Sequence, residues 1–210
     1  MENEKAEILK KIACLFFKYG IKSVSMDDIA KELAVSKKTL YVFFKDKHEV
    51  VEKVMEQHNN CCQNYLKSKL ENANNAIEEY FELILMVKNI IEERNPSFDY
   101  DLKKYYPDLH KKHDQVASES MTAFFIENLN KGKEEGLYRN DFSSDIITKF
   151  HVSTIITIHL AGIFSMSELF SYEIYRQYFI FFIRGVASPK GVKLLEEKIE
   201  EYGFNNTQTR

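Results

Sequence analysis

The chain has 210 residues, 44% of them apolar, enough for a real core in one large domain or in a small domain joined to a mid-sized one. Its formal net charge of -3 excludes a protein coated in positive charge, such as a histone-like packager or a polybasic membrane binder, so any nucleic-acid site must be local. Seven Gly, three Pro and no Trp leave few turn signals between long segments rich in Lys, Glu, Leu, Ile, Phe and Tyr, the composition of an all-α protein.

The N-terminal residues Met1 to Lys5 are polar and show no secretory pattern, and the three cysteines Cys14, Cys61 and Cys62 point to a reducing compartment, so a cytoplasmic location is expected. The longest apolar-rich run, Phe150 to Phe164, contains His151 and His159 and falls short of the roughly 20 residues a membrane span requires.

Ile8, Ile12, Leu15, Phe16 and Tyr19 recur at helical spacing, which predicts an amphipathic helix from Glu4 to Tyr19 with Gly20 as its C-terminal cap. Ser25 followed three residues later by Asp28 has the form of a capping box and opens a second, two-turn helix that turns Ile29, Ala30 and Leu33 inward. Ala34 and Val35 make a turn, and Ser36 caps a third short helix. Leu40, Phe43 and Phe44 are spaced to pack inward, leaving Lys37, Lys38, Thr39, Tyr41 and Val42 to point elsewhere. Asp46, with Glu49 at N3, caps a fourth helix whose first turn carries Lys47.

Between Ser36 and Lys47 stand four lysines (37, 38, 45 and 47) against one acid, Asp46, in a chain that is acidic overall, the asymmetry a localised phosphate-binding face requires. A two-turn helix is marginal alone, and one with a Lys, Thr and Tyr outer face is worth presenting if its first turn enters a major groove. Thr39 can donate, accept or touch a thymine methyl. Lys37 and Lys38 can reach phosphate or guanine acceptors. The Tyr41 hydroxyl and Ser25 suit phosphate oxygens, and Ser36 joins them as a DNA-binding candidate. A cation in a first helical turn opposes the helix dipole, and Lys47 makes sense there if it and the exposed N–H groups hold a phosphate.

The succession Ser25, Asp28-Ile29-Ala30, Val35-Ser36-Lys37-Lys38-Thr39-Leu40-Tyr41, Phe43-Phe44, Asp46-Lys47 and Val50 resembles the N-terminal domain of the tetracycline-repressor (TetR) family of transcription regulators. Gly136-Leu137-Tyr138-Arg139-Asn140-Asp141 resembles the turn that commonly precedes that family's first dimerisation helix. The family often has Gly where this chain has Ala34, and a left-handed backbone there would cost Ala on the order of 1 kcal/mol. It also often has Gly at Lys38, where this chain places an extra cation. The resemblance implies an N-terminal three-helix DNA-binding domain with a helix-turn-helix, residues 1–47, and a C-terminal helical effector-binding and dimerisation domain, residues 48–210. It implies a homodimer on a palindromic double-stranded operator, released by a small-molecule effector of unknown identity.

Past the head, Val50, Val51, Val54, His58, Cys61, Cys62 and Tyr65 continue at helical spacing to about Leu70, and Ile77 to Ile91 form a helix that ends before Asn95-Pro96. The aromatic segment Ser97 to Leu109 is expected as a short helix or irregular lid, followed by helices over about Leu109–Lys133, Ser143–Phe164 and Leu169–Ala187. Pro189 stops the last of these, and an amphipathic helix with Val192, Leu195, Ile199 and Tyr202 precedes a polar tail. The helices containing Ile146 to Phe164 and Tyr178 to Ile183 are apolar around their whole circumference, so each must be buried on two sides. The second side most simply meets another copy, with Ile163, Phe164, Tyr175, Tyr178, Phe179 and Phe182 as the expected interface.

The expected effector pocket is lined by Tyr65, Phe81, Tyr105, Phe124, His151 and Ile155, aromatic or polar-tipped residues on presumed inward faces. His110 with His113, and His58 with Cys61, share spacing but have no further matched ligands, so no metal or cofactor is expected. Cys61 and Cys62 read as inert thiols more readily than as a redox sensor. Neither a Gly-rich phosphate loop, a nucleophile elbow nor a zinc-protease motif is present, and no enzyme is expected. The rival reading is a helical small-molecule-binding protein or enzyme whose N-terminal helices are a structural cap.

Overall fold

The computed structural model describes residues 2–93, 95–158 and 162–204. The described residues form α1 Glu2–Tyr19, α2 Met26–Glu32, α3 Lys37–Phe43, α4 Lys47–Leu70, α5 Ala76–Glu93, α6 Pro96–Tyr105, α7 Pro107–Glu134, α8 Ser144–Thr157, α9 Met166–Leu169, α10 Tyr172–Val186 and α11 Pro189–Glu201. No strand occurs among them, only an isolated bridge between Tyr138 and Ala187. None of these helices is long and apolar enough to cross a membrane. The polar tail beyond Phe204 and part of the run after Ile158 lie outside the described residues.

Local chemistry sets the starts. Ser25, Ser36, Asn95, Ser143, Ser171 and Ser188 each sit in extended backbone and accept a first-turn N–H, relieving donors that have no intrahelical partner. Pro96 and Pro189 occupy first-turn positions, where a missing N–H costs nothing. The Pro-bounded aromatic segment is therefore a helix, α6, rather than an irregular lid. Gly20 closes α1 with φ +81° and a bond from its N–H to the Phe16 carbonyl.

The chain divides into two compact units, Met1–Tyr65 with Glu93–Ala117, and Leu66–Glu92 with Ser118–Arg210. The boundary expected after residue 47 thus moves. The first turns of α4 bury Val50, Val51 and Val54 in the same core as Ile12, Phe16, Ile29, Leu40 and Phe44, and α6 adds Phe98 and Leu102 to it. The second unit is built on Ile77, Tyr80, Phe81, Phe125, Leu129, Phe179, Ile183, Leu195 and Ile199.

In that second unit two glycines mark close approaches. A Cβ on Gly132 would stand 2.0 Å from Cδ2 of Tyr138, and one on Gly191 would stand 2.0 Å from the Leu137 carbonyl oxygen. Gly132 lies within α7, which ends at Glu134, and admits the Tyr138 ring, whose hydroxyl donates to Asn128 Oδ1 at 3.2 Å.

α8 ends at Thr157 instead of reaching Phe164. Thr154 and Thr157 turn their hydroxyls back onto the carbonyls of Phe150 and Ser153, a competition that weakens a helix, and Gly162 adopts φ +63°. On α8, Thr148, His151 and Val152 are buried, while Phe150 is 70% exposed. On α10, Tyr175, Phe179, Ile180, Ile183 and Val186 are buried, while Phe181 is 75% exposed.

Candidate nucleic-acid interface

The head is framed by caps that consume much of its polar capacity. Ser25 Oγ accepts the Asp28 N–H at 3.2 Å, and the Ser25 amide and hydroxyl donate to Asp28 Oδ2 at 2.8 and 2.6 Å, a complete capping box. These bonds hold the Asp28 carboxyl below the usual carboxylate range. Ser36 Oγ accepts the Thr39 N–H at 3.0 Å and shares a 2.7 Å hydrogen bond with the Thr39 hydroxyl. Ser25 and Ser36 are thus occupied as helix caps.

Between the two helices the chain reverses through a Schellman turn. Ala34 takes φ +53°, its N–H donates to Lys31 and the Val35 N–H reaches back to the Ala30 carbonyl at 2.9 Å. The left-handed position is therefore occupied by a residue with a Cβ.

Leu40 and Phe44 are buried and pin α3 to the head core. Phe43, expected beside them, is 47% exposed. The reason is the backbone: α3 stops at Phe43, and Phe44, with φ -138° and ψ 127°, leaves the helical path and swings its ring inward. The outward face carries Lys38, Thr39, Tyr41 and Phe43, with Val42 at 78% exposure. Lys37 is exposed but paired, its Nζ 2.9 Å from Asp27 Oδ1 on α2. That partner was not anticipated, although adjacent acids in the first turn of a helix suit its dipole.

Lys47 differs most from expectation. Its ammonium donates to the Ile21 carbonyl at 2.6 Å and is half-buried, which lowers its pKa, while Asp101 and Asp28 act in the opposite direction. The side chain expected to hold a phosphate instead points back to the turn between α1 and α2, because that turn offers an acceptor and two acids lie near it. The first turn it belongs to is capped by Asp46, whose Oδ1 accepts the Glu49 N–H at 2.9 Å.

Residues 8–54 match the family model for bacterial regulatory proteins of the tetR family. The chain is 27% identical over 138 residues to the uncharacterized HTH-type transcriptional regulator YvaF of Bacillus subtilis, covering 65% of this chain and 72% of that protein. It is 21% identical over 194 residues to the HTH-type transcriptional repressor KstR2 of Mycolicibacterium smegmatis, covering 91% and 94%. Among solved structures, a transcriptional regulator from Cytophaga hutchinsonii superposes with a TM-score of 0.69 at 15% identity, covering 88% of this chain and 99% of that one.

Residues 8–54 thus carry the DNA-binding domain of the tetR family.

With that domain at its N-terminus, the chain is a DNA-binding transcriptional regulator built from a helix-turn-helix and a helical C-terminal part. The residues expected to line an effector pocket take different places in the fold. Phe81 is fully buried and stacks on Tyr202 and Phe204, with ring centroids 5.1 and 5.4 Å away, so it is core. His151 is buried with Nε2 2.8 Å from the Tyr80 hydroxyl, Nδ1 2.9 Å from the Tyr178 hydroxyl, and its ring stacked 3.6 Å from Phe182. Burial lowers its pKa to about 3, so the imidazole is neutral and both nitrogens are engaged within the protein. Phe124 and Ile155 pack partly buried against the same core.

Tyr65 and Tyr105 belong to the N-terminal unit and are exposed; the Tyr105 hydroxyl accepts from Lys22 Nζ at 2.9 Å. Aromatic spacing alone could not separate packed core from ligand wall. A cavity of about 310 Å³ does occur in the N-terminal unit, lined by Glu52, Met55, Glu56, Asn59, Asn60, Leu109, Lys112, His113 and Val116 from α4 and α7. Its rim holds Lys112 at 2.9 Å from both Glu52 and Glu56.

The expected dimer residues also divide. Tyr175 and Phe179 are buried in the protomer's own core, whereas Ile163 is exposed and Phe164, Tyr178 and Phe182 are half-buried. Ile146, Phe150 and Phe181, outside the expected set, are exposed on α8 and α10; helical periodicity shows that such helices are apolar all round, but not which side the protomer keeps. Among the described residues no group of three or more His, Cys, Asp or Glu is placed to hold a metal ion.

Proposed function

We propose that the protein is a ligand-released repressor that binds a palindromic operator as a homodimer and acts by binding rather than catalysis. The observation that carries this reading is α3 itself, anchored by Leu40 and Phe44 while Lys38, Thr39, Tyr41 and Val42 face solvent together. A helix of this size reaches base edges with its first turn and phosphates with its flanks. A single short head makes a weak, salt-sensitive binder, and a dimer places two heads on half-sites about 34 to 36 Å apart or somewhat wider.

The dimer reading rests on the exposed Phe150, Phe181, Ile146 and Ile163, a set of apolar side chains unusual for the surface of a monomer. Repression is supported by the repressor KstR2, similar over most of the chain. The cavity between α4 and α7 supports a small-molecule effector, because α4 begins at the head and a ligand that favoured one arrangement of α4 would shift DNA affinity.

A gel shift on the DNA upstream of the protein's own gene, with the mass of the complex measured by size exclusion, tests the reading. A salt-sensitive complex containing two protomers is expected. Absence of binding at low salt to that DNA and to a random DNA pool would favour a small-molecule-binding protein with a structural N-terminal cap.

A further inference from the structure

Lys47 and Asp101, far apart in the chain, hold the two polar atoms of one peptide group. The Ile21 carbonyl and the Lys22 N–H belong to the same peptide plane. The oxygen accepts from Lys47 Nζ at 2.6 Å, and the N–H donates to Asp101 Oδ2 at 2.7 Å. Asp101 is buried on α6, and Lys47 is half-buried in the first turn of α4. Both bonds are charge-assisted, and a cation at the carbonyl and an anion at the N–H reinforce the peptide dipole between them.

The gripped peptide sits at a sensitive point. It follows Gly20, whose φ of +81° turns the chain out of α1, and lies four residues before Ser25, which caps α2. A Cβ at Gly20 would stand 3.0 Å from Asp101 Oδ2 and 3.1 Å from Ser97 Cβ, so α6 is packed hard against the turn. The Asn95 N–H donates to the Phe17 carbonyl at 2.9 Å and its side-chain amide donates to the Lys18 carbonyl at 3.1 Å, extending the same grip to the end of α1. Lys37, Lys38 and Lys45 are exposed in the head, but Lys47 has its charge turned inward.

We infer that Lys47 and Asp101 are positioning residues that clamp the Ile21–Lys22 peptide and thereby set how α2 and α3 are presented to DNA, and that Lys47 is not a phosphate contact. The inference rests on the DNA-binding reading for its consequence and on the geometry of the turn for the clamp itself. Asp101 touches no DNA in this account, yet its loss weakens DNA binding through the turn.

The test measures operator affinity over a series of salt concentrations for the parent, Lys47→Met, Asp101→Ala, Asp101→Asn and Lys38→Ala, with the operator selected by the parent from a random DNA pool. Lys47→Met and Asp101→Ala should each weaken binding about tenfold while leaving the slope of log affinity against log salt at the parent's value. Losing one phosphate contact lowers that slope by about 0.9, and Lys38→Ala serves as the comparison for an exposed head cation. Asp101→Asn keeps an oxygen for the Lys22 N–H and should recover most of the loss. A slope lowered by about 0.9 in Lys47→Met, or parental affinity in Asp101→Ala, would overturn the inference.

Hydrogen exchange of the Lys22 amide in the parent gives a readout independent of whether the variants fold. Slow exchange is expected, and exchange at the rate of an open loop would overturn the clamp. If the parent bound no DNA, the functional reading would fail while the amide still reported on the clamp.

Discussion

Lys37 on α3 and Asp27 on α2 form a salt bridge, with Nζ 2.9 Å from Oδ1 and both side chains more than half exposed. One of the two lysines that open the reading helix thus carries an internal counter-ion, which raises its pKa through the Asp27 hydrogen bond and charge. An exposed pair of this kind adds little to folding, but on a DNA-binding face it competes with phosphate. Asp27→Asn should therefore leave thermal stability nearly unchanged and raise DNA affinity severalfold at low salt, with the gain shrinking as salt is added. Fluorescence anisotropy across a salt series measures both effects.

Ala34 holds φ +53° at the position where the Schellman turn asks for glycine. Ala34→Gly removes the clash of a Cβ in left-handed backbone but adds entropy to the unfolded chain, so the expected gain is about 0.5–1 kcal/mol. Urea denaturation should show a higher midpoint with an unchanged slope. The turn's hydrogen bonds are backbone to backbone and survive the substitution.

His151 gives the fold a pH dependence of known sign. Its folded pKa, about 3, lies below the ordinary 6.5 because burial disfavours the charged ring. The unfolded chain binds the proton first, so its contribution to stability is fully present above about 6.5 and is lost as pH falls towards 3. Among the described residues no carboxylate offsets this at the ring, which meets Tyr80, Tyr178, Phe125, Phe179 and Phe182. His151→Phe should be less stable at neutral pH, because two tyrosine hydroxyls lose their partner, yet its stability should fall less steeply below pH 6. The difference in slope should approach about 1.4 kcal/mol per pH unit at most, measured by urea unfolding between pH 7 and pH 4.

Phe150 and Phe181 project from α8 and α10 with most of their surface free. If they form the contact between copies, Phe150→Glu with Phe181→Glu should leave the protomer folded and convert a dimer to a monomer by sedimentation, with DNA affinity falling at least a hundredfold as the second head is lost. Tyr175→Ala should instead destabilise the protomer, since that ring is core.

What the residues announced in advance was local. The capping box at Ser25, the cap at Ser36, the glycine at the end of α1 and the periodicity of α4, α5 and α11 depend on neighbours within a turn or two, and they could be read directly. Phe43 was misjudged because its direction depends on where a two-turn helix stops, which is settled by the extended backbone at Phe44. The Lys47 bond was not foreseen because its acceptor lies 26 residues away, and Asp101 was passed over because its bond to the Lys22 N–H exists only once α6 packs on the α1–α2 turn. The aromatic residues assigned to a pocket were sorted by three-dimensional packing into core, half-buried and exposed positions, information that periodicity does not carry.

The central claim is that the outward face of α3 reads DNA. It is tested most directly by titrating the operator selected by the parent with the Lys38→Ala/Tyr41→Ala protein at moderate salt, after circular dichroism has shown an unchanged fold. Neither side chain is in the buried core of the head, so folding should be untouched and operator affinity should fall at least tenfold. Binding as tight as the parent's at the same salt would contradict the account.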